Sequence, residues 1–435
     1  MSWHYAVARL AAWFRPMRRA PARSPLAPSA EPGISVVIPS RNGKALLEAQ
    51  LPDLVAGLSA GEIIVVDNGS DDGTAAWLAA RWPQIAVEIS SAPLSFAEAV
   101  NRGIARARYS LICLLNNDML LEPGFFPALA EAFQKVPDLF CATAQIRFPA
   151  GVRREETGKS VMAQTEPTDF PVRCDEPLPG EDLTFVLYGS GGCSAYDAAK
   201  LRALGGVDEA YRPAYVEDLD LSYRAWLRGW PTVYVAGALV EHRHRATTSR
   251  YYTDAQLDAI LELNYLKFLA RAISSGTTFR RLWNQALRRL RALPTDAARA
   301  ALRAAPAIAL SGGTRIPPAL SEDSLLALTD GSVACFPGRR PTAATRRVVP
   351  CDSLERARQL APAASDDILV ALADRLATPP PDLLAAFVEI TLVRRPPGAS
   401  GTPPAFHAAL HQVHRKWRPA IFYNELFQSE TNPSS

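Results

Sequence analysis

Along the first third of the chain, short β-branched stretches that stop abruptly at an acid or an amide alternate with longer stretches of helical spacing. Residues 34–40 (ISVVIPS) read as a strand ended by Pro39, and Arg41, Asn42 and Gly43 turn the chain into a helix that runs to residue 58. Residues 62–66 form a second strand that ends at Asp67. The turn Asn68-Gly69-Ser70-Asp71-Asp72-Gly73-Thr74 then opens another helix. A helix over 96–107, carrying Asn101-Arg102-Gly103, leads into a third apolar run at 111–115. This repetition predicts a parallel sheet with right-handed crossovers, and a nucleotide-binding half-fold over about the first 120 residues.

The third run stops at Asn116, Asn117 and Asp118, which delivers a carboxylate to the C-terminal edge of a strand buried on both faces. Ligands of open α/β sheets bind at that edge. Asp118 can therefore hold a hard divalent cation such as Mg²⁺ or Mn²⁺, or it can simply cap the following turn. There is no G-x-G-x-x-G after the first strand and no Walker A pattern, which argues against NAD, FAD and P-loop chemistry.

Outside the half-fold the pattern changes. Residues 1–19 place Trp3, Ala6, Val7, Leu10, Trp13, Phe14 and Met17 at helical spacing among Arg9, Arg15, Arg18 and Arg19, with no acid before Glu31. That pattern suits a basic amphipathic helix on a membrane surface, and equally a helix packed on the protein's own body. Residues 20–33 are a Pro-, Ala- and Ser-rich linker. Residues 145–182 show no period and read as a variable loop. Helical spacing returns from 251, and residues 280–303 mix apolar positions with seven arginines, as a lipid-facing or a solvated helix would.

Net charge of +3 is too small to argue for nucleic acid. Six cysteines without a Cys-x-x-Cys pair read as reduced thiols of a cytoplasmic protein. No apolar run reaches membrane-spanning length, and no signal-peptide pattern is present.

The motifs Val36-Val37-Ile38-Pro39-Ser40-Arg41-Asn42, Ile63-Ile64-Val65-Val66-Asp67-Asn68-Gly69-Ser70 and Leu115-Asn116-Asn117-Asp118 resemble the successive motifs of family 2 glycosyltransferases. Gly205-Gly206-Val207-Asp208-Glu209, Glu217-Asp218-Leu219-Asp220-Leu221, Gly229-Trp230 and His242 follow in the family's order, so the resemblance spans about residues 34–270. It implies a GT-A fold: an α/β, Rossmann-like domain over 34–250 whose mostly parallel sheet is flanked by helices. A helical extension would follow over 251–304, with an unassigned α or α/β region over 305–435.

The same resemblance implies an inverting transfer of a sugar from a nucleotide-sugar donor to a glycan or lipid-linked acceptor, at the inner face of a membrane or in the cytoplasm. It assigns the nucleotide to Pro39, Ser40, Arg41, Asn42, Asp67, Asn68, Asn101, Asn116 and Asn117. The metal, Mn²⁺ or Mg²⁺, falls to Asp118 and His242. Asn116 stands where the family's Asp-x-Asp signature has its first acid, which removes a negative charge and puts weight on His242. Gly191, Gly192, Asp208 and Trp230 fall on the acceptor side, and Asp218, with Glu217 beside it, is the general base.

Each assignment has a plainer counterpart in the residues themselves. Acids at 217, 218 and 220 suit the N-terminus of a helix on electrostatic grounds alone. His242 can be a packing residue, and the glycines of 188–194 a turn without a ligand. A nucleotidyltransferase, or a binding protein that has lost catalysis, would share the nucleotide half. Residues 353–374 echo 95–118 and suggest a degenerate repeat of the half-fold, or a helix capped at 365–367.

Overall fold

The computed structural model describes residues 2–19, 30–136, 138–149, 158–162, 166–174, 182–243 and 251–316, with a few positions between and beyond them. The chain opens with α1 (Ser2–Ala11), one turn of 3₁₀ helix (Ala12–Phe14) and β1 (Met17–Arg19). Then come β2 (Glu31–Ser40), α2 (Lys44–Gly57), β3 (Gly61–Asn68), α3 (Thr74–Arg81), β4 (Ala86–Ser90), α4 (Phe96–Arg106) and β5 (Tyr109–Leu115). The next part contains β6 (Met119–Leu121), α5 (Phe125–Lys135), β7 (Cys141–Arg147), β8 (Ser160–Val161), β9 (Arg173–Cys174) and β10 (Thr184–Phe185). It continues through β11 (Cys193–Asp197), α6 (Ala198–Ala203), α7 (Glu217–Trp226) and β12 (Thr232–His242). Three helices, α8 (Asp254–Ala272), α9 (Gly276–Ala292) and α10 (Asp296–Ser311), precede β13 (Gly313–Arg315).

Nine strands form one sheet in the order β10-β12-β7-β11-β5-β2-β3-β4, with β6 added to β12. The expected parallel half is there: β2 runs parallel to both β3 and β5, and β3 runs parallel to β4. β11 is antiparallel to β5 and to β7, which turns the sheet mixed on that side.

The apolar strands divide by residue parity. Val36, Ile38, Val65, Cys113 and Leu115 join one core, while Val37, Ile64, Val66, Ile112 and Leu114 join the other. A period of two with both faces buried is what continuous β-branched runs produce when helices cover the sheet on both sides. Each such side chain contributes about 1.5 to 3 kcal/mol of burial. Gly103 lets α4 approach β2, since a Cβ there would lie 2.2 Å from Val37 Cγ1.

Two elements differ from the pattern reading. β4 was not foreseen, because AVEIS has little apolar character and Ile89 is 62% exposed on the sheet's edge. The boundary expected at 304/305 falls inside α10, which continues to Ser311. β13 then pairs in parallel with β1, so the N-terminal segment and the segment after α10 are joined. Within 145–182, β8 and β9 form a short antiparallel pair. The proposed repeat over 353–374 lies outside the described residues.

Of the two positions open to α1, the structure shows one contact directly. Ala8, Ala11 and Ala12 are buried against α9 and α10, and Trp283 Nε1 donates to the Ala8 carbonyl at 3.1 Å. Arg15 ties down the following turn by donating to the Leu269 and Ile273 carbonyls at 3.2 and 2.6 Å. Among the described residues no helix is long and apolar enough to cross a membrane.

Candidate active site

The C-terminal ends of β2, β3 and β5 open into a cleft of about 450 Å³. Its lining includes Pro39, Ser40 and Arg41 from the loop after β2, Asn68 from the end of β3, and Asn116, Asn117 and Asp118 from the turn after β5. His242 joins Asp118 on that side, and the opposite wall brings Gly191, Gly192, Glu217 and Asp218. Residues separated by more than a hundred positions meet here because β11 pairs with β5 and β12 carries β6, which follows β5 in sequence.

The register of β6 on β12 sets Met119 opposite His242, and this brings the neighbouring Asp118 to the imidazole. Asp118 Oδ1 lies 3.5 Å from His242 Nε2, with both residues 7% exposed. Asp118 Oδ1 accepts no hydrogen bond although it is buried. A carboxylate oxygen held this way is costly unless a cation or a proton comes to it. Gln50, which the sequence did not mark, steadies the turn by donating to the carbonyls of Asn116 and Met119 at 2.6 and 2.8 Å. Asn117 Nδ2 donates to Ser40 Oγ at 2.9 Å and clasps the two loops together.

Across the cleft, α7 begins after Tyr215 and Val216, two non-glycine residues in the left-handed region at φ 73° and 77°. Such backbone is costly and persists where surrounding bonds hold it. The holding group is Asn264 on α8, whose Nδ2 lies 3.0, 2.9 and 3.1 Å from the carbonyls of Tyr211, Ala214 and Tyr215. This turn aims the first two helical residues at the cleft. Asp218 Oδ2 accepts from the Gly191 backbone N–H at 3.2 Å, so the glycine-rich loop and the carboxylate position each other. Glu217 is buried with Oε2 accepting no hydrogen bond. Burial first, and the neighbouring Asp218 second, push its carboxyl well above the usual range.

That shift has a testable sign. Glu217 stays protonated in the folded state at pH values where the unfolded chain has ionised it, so stability falls as pH rises above about 4.5 and levels off only beyond the raised folded value. Glu217→Gln removes this dependence. Urea unfolding is expected to show a stability difference, variant minus wild type, that grows with pH by up to about 1.4 kcal/mol per unit. A difference independent of pH between 5 and 8, taken as roughly the accessible range, would refute the assignment.

Residues 32–256, about half of the chain, match the family described as glycosyltransferase like family 2. The chain belongs to that glycosyltransferase family. An N-acetylglucosaminyl-diphospho-decaprenol L-rhamnosyltransferase of Mycobacterium tuberculosis is 28% identical over 212 residues, which are 43% of this chain and 68% of the relative. An uncharacterized glycosyltransferase of the same organism is 31% identical over 203 residues, 46% of this chain and 82% of the relative. Among solved structures, residues 1–349 of S. aureus TarS with UDP-GlcNAc align with a TM-score of 0.44 and 14% identity, over 59% of this chain and 72% of that one. The family and the helix-flanked sheet with its parallel half agree with the α/β fold that the motifs lead one to expect.

In this glycosyltransferase most expected site residues share the cleft, and five do not line it. Asp67 is 3% exposed at the end of β3, where its Oδ1 accepts from the Ser70 N–H at 3.2 Å. Asn42 sits in the same bracing, with its N–H donating to Ser70 Oγ and its Oδ1 accepting from the Asp71 N–H. At both positions the polar side chain is consumed by the scaffold.

Asn101 spends its amide on α4's connection to the segment ahead of α7, donating to the Val207 carbonyl at 2.8 Å and accepting from the Val207 N–H at 2.9 Å. Asp208 and Trp230, expected on the acceptor side, lie away from the cleft. Asp208 caps a 3₁₀ turn and pairs with Arg271 at 2.5 Å, which together hold its carboxyl below the usual range against the opposing effect of burial. The Trp230 ring lies under the cations of Arg228 and Lys200 at 5.4 and 6.0 Å. Two tyrosines that the sequence did not mark, Tyr251 and Tyr252, line the cleft instead, and the Arg41 guanidinium stands 4.1 Å from the Tyr251 ring centroid.

Proposed function

We propose that this glycosyltransferase moves a sugar from a nucleoside-diphosphate donor to a hydroxyl of a glycan or lipid-linked acceptor, with inversion at the anomeric carbon. The observation that carries the reading is the meeting of Asp118 and His242 on one side of a single cleft with Glu217 and Asp218 on the other. In it, Asp218 takes the proton from the acceptor hydroxyl as the oxygen attacks. Glu217, kept neutral by burial, avoids a second negative charge beside that base. Pro39, Ser40, Arg41, Asn68 and Asn116 hold the nucleotide, and Arg41 brings a positive charge toward the diphosphate. Asp67, Asn42 and Asn117 shape that pocket through the loops they brace.

Asp118 and His242 would hold a divalent cation, Mn²⁺ or Mg²⁺. The fit rests on the buried Asp118 Oδ1 without a hydrogen-bond partner. Among the described residues no group of three or more His, Cys, Asp or Glu forms a closed metal site. An open pair suits cations that take only one or two protein carboxylates and complete their shell with water and substrate phosphate. When bound, the cation supplies Lewis-acid neutralisation of the leaving diphosphate.

The acceptor side has an apolar wall of Phe170, Val172, Leu257 and Leu261. Such a wall favours a lipid-linked acceptor, the class named for the rhamnosyltransferase relative. A thermal-shift panel of nucleotide sugars, with and without Mn²⁺ or Mg²⁺, is expected to reveal one donor whose stabilisation needs the metal. Turnover with that donor should release nucleoside diphosphate. Release of pyrophosphate would instead assign the site to nucleotidyl transfer.

A further inference from the structure

The larger apolar face of α1 and its 3₁₀ turn points away from the protein. Trp3, Leu10, Trp13 and Phe14 are 73%, 61%, 69% and 68% exposed, whereas alanines on the other face make the contact with α9 and α10. A surface helix ordinarily turns its bulky apolar stripe inward. Here positions 3, 10 and 14 fall on one side of the helix, three to four turns that end in solvent. Scattered exposed apolar residues mean little, but four bulky ones on one short helix and its turn, two of them tryptophans, mark a surface that something covers.

The charge around the stripe says what. The Arg280 guanidinium lies 4.5 Å from the Trp13 ring centroid, and that of Arg291 5.0 Å from the Tyr5 ring. Arg9, Arg18 and Arg19 are exposed on the N-terminal segment, as are Arg281 and Arg288 on α9, a helix that contains no acid. No acid occurs in the chain before Glu31. An isologous contact with a second copy would set these arginines against one another, which disfavours that occupant. Tryptophan flanked by arginine is instead the composition of a helix lying in the headgroup region of an anionic bilayer.

We propose that α1, its 3₁₀ turn and the adjoining edge of α9 form a docking surface for an anionic phospholipid bilayer. Trp3, Leu10, Trp13 and Phe14 enter the boundary between headgroups and acyl chains, and the arginines meet lipid phosphates. The surface also adjoins the cleft through α9. Arg289, on the inner side of α9, is ion-paired with Glu262 and stands 5.3 Å from the ring of Phe170, which lines the apolar wall. One helix therefore separates the docked membrane from the wall where an acceptor lipid would lie. The proposal goes beyond the catalytic reading and does not depend on it.

The test is flotation of the full chain with vesicles of phosphatidylcholine alone and of phosphatidylcholine mixed with phosphatidylglycerol, without donor. Wild type is expected to float with the mixed vesicles only, and to be released at high salt. The double variant Trp3→Ala, Trp13→Ala should lose at least about tenfold in vesicle partitioning. Its melting temperature without ligand should stay close to wild type, which shows that the variant is folded. Wild type that does not float, or a variant that floats equally well, overturns the proposal. So does a concentration-dependent dimer abolished by the same substitutions, which would give the face to a second copy. Flotation without any response to nucleotide sugars would leave this proposal standing and refute the catalytic one.

Discussion

Asp218→Asn is expected to lower kcat by about 10² to 10⁴, the range that removal of a general base covers, while leaving donor affinity close to wild type. The amide is the right probe because it keeps the shape and can still accept from the Gly191 N–H, the bond that orders the glycine-rich loop. The capacity to take a proton is lost, together with the second backbone hydrogen bond that the carboxylate accepts, from the Leu219 N–H. Steady-state rates with the donor found in the thermal-shift panel, together with that donor's binding constant, separate the two effects. A variant that transfers sugar at the wild-type rate would remove Asp218 from the base role and direct attention to Glu217, whose raised affinity for a proton becomes a base's property at higher pH.

Asp118→Asn should move stability and function in opposite directions. The wild-type carboxylate is buried with Oδ1 lacking a hydrogen-bond donor, so neutralising it relieves an electrostatic cost in metal-free protein. With EDTA present, the variant is expected to melt no lower than wild type. In Mn²⁺ it should fail to gain the donor-dependent stabilisation that wild type shows, because the anionic ligand is gone. Measuring melting temperature in all four combinations of donor and metal reads both halves at once. A full Mn²⁺-dependent donor shift in the variant would show that Asp118 is not the anchoring ligand, whatever its position beside His242.

Much of the catalytic half was legible in the chain because its elements obey local rules. Continuous β-branched runs ending at Pro39, Asp67 and Asn116 specify strands that finish at the same sheet edge, and parity then sorts their side chains to the two cores. α4 even announces its start, since Ser95 and Glu98 form a capping box. β4 escaped because an edge strand needs few apolar residues. The helices of the extension were readable by spacing, but not the direction of their faces. The stripe of Trp3, Leu10, Trp13 and Phe14 is visible in the sequence, while its exposure is not.

Polar residues were where sequence reasoning reached least far. An Asn or Asp at a loop has the same letter whether it meets a ligand or a backbone amide. Asn101 and Asp208 are consumed by Val207 and Arg271, and Asp67 braces Ser70. Conversely, Gln50 and Asn264 carry no motif, yet they hold the turn before Asp118's strand pairing and the left-handed turn before Asp218.

By itself the sequence determined three strands of the parallel half, the helices between them and the polar residues at the strand ends, since these follow from short-range periodicity and turn chemistry. The tertiary structure alone decided which of those residues share a cleft. That outcome depends on the pairing of β11 with β5 and of β6 with β12, contacts between residues far apart in the chain. No local pattern encodes such a register, because it is set by how whole strands pack once the sheet has closed around them.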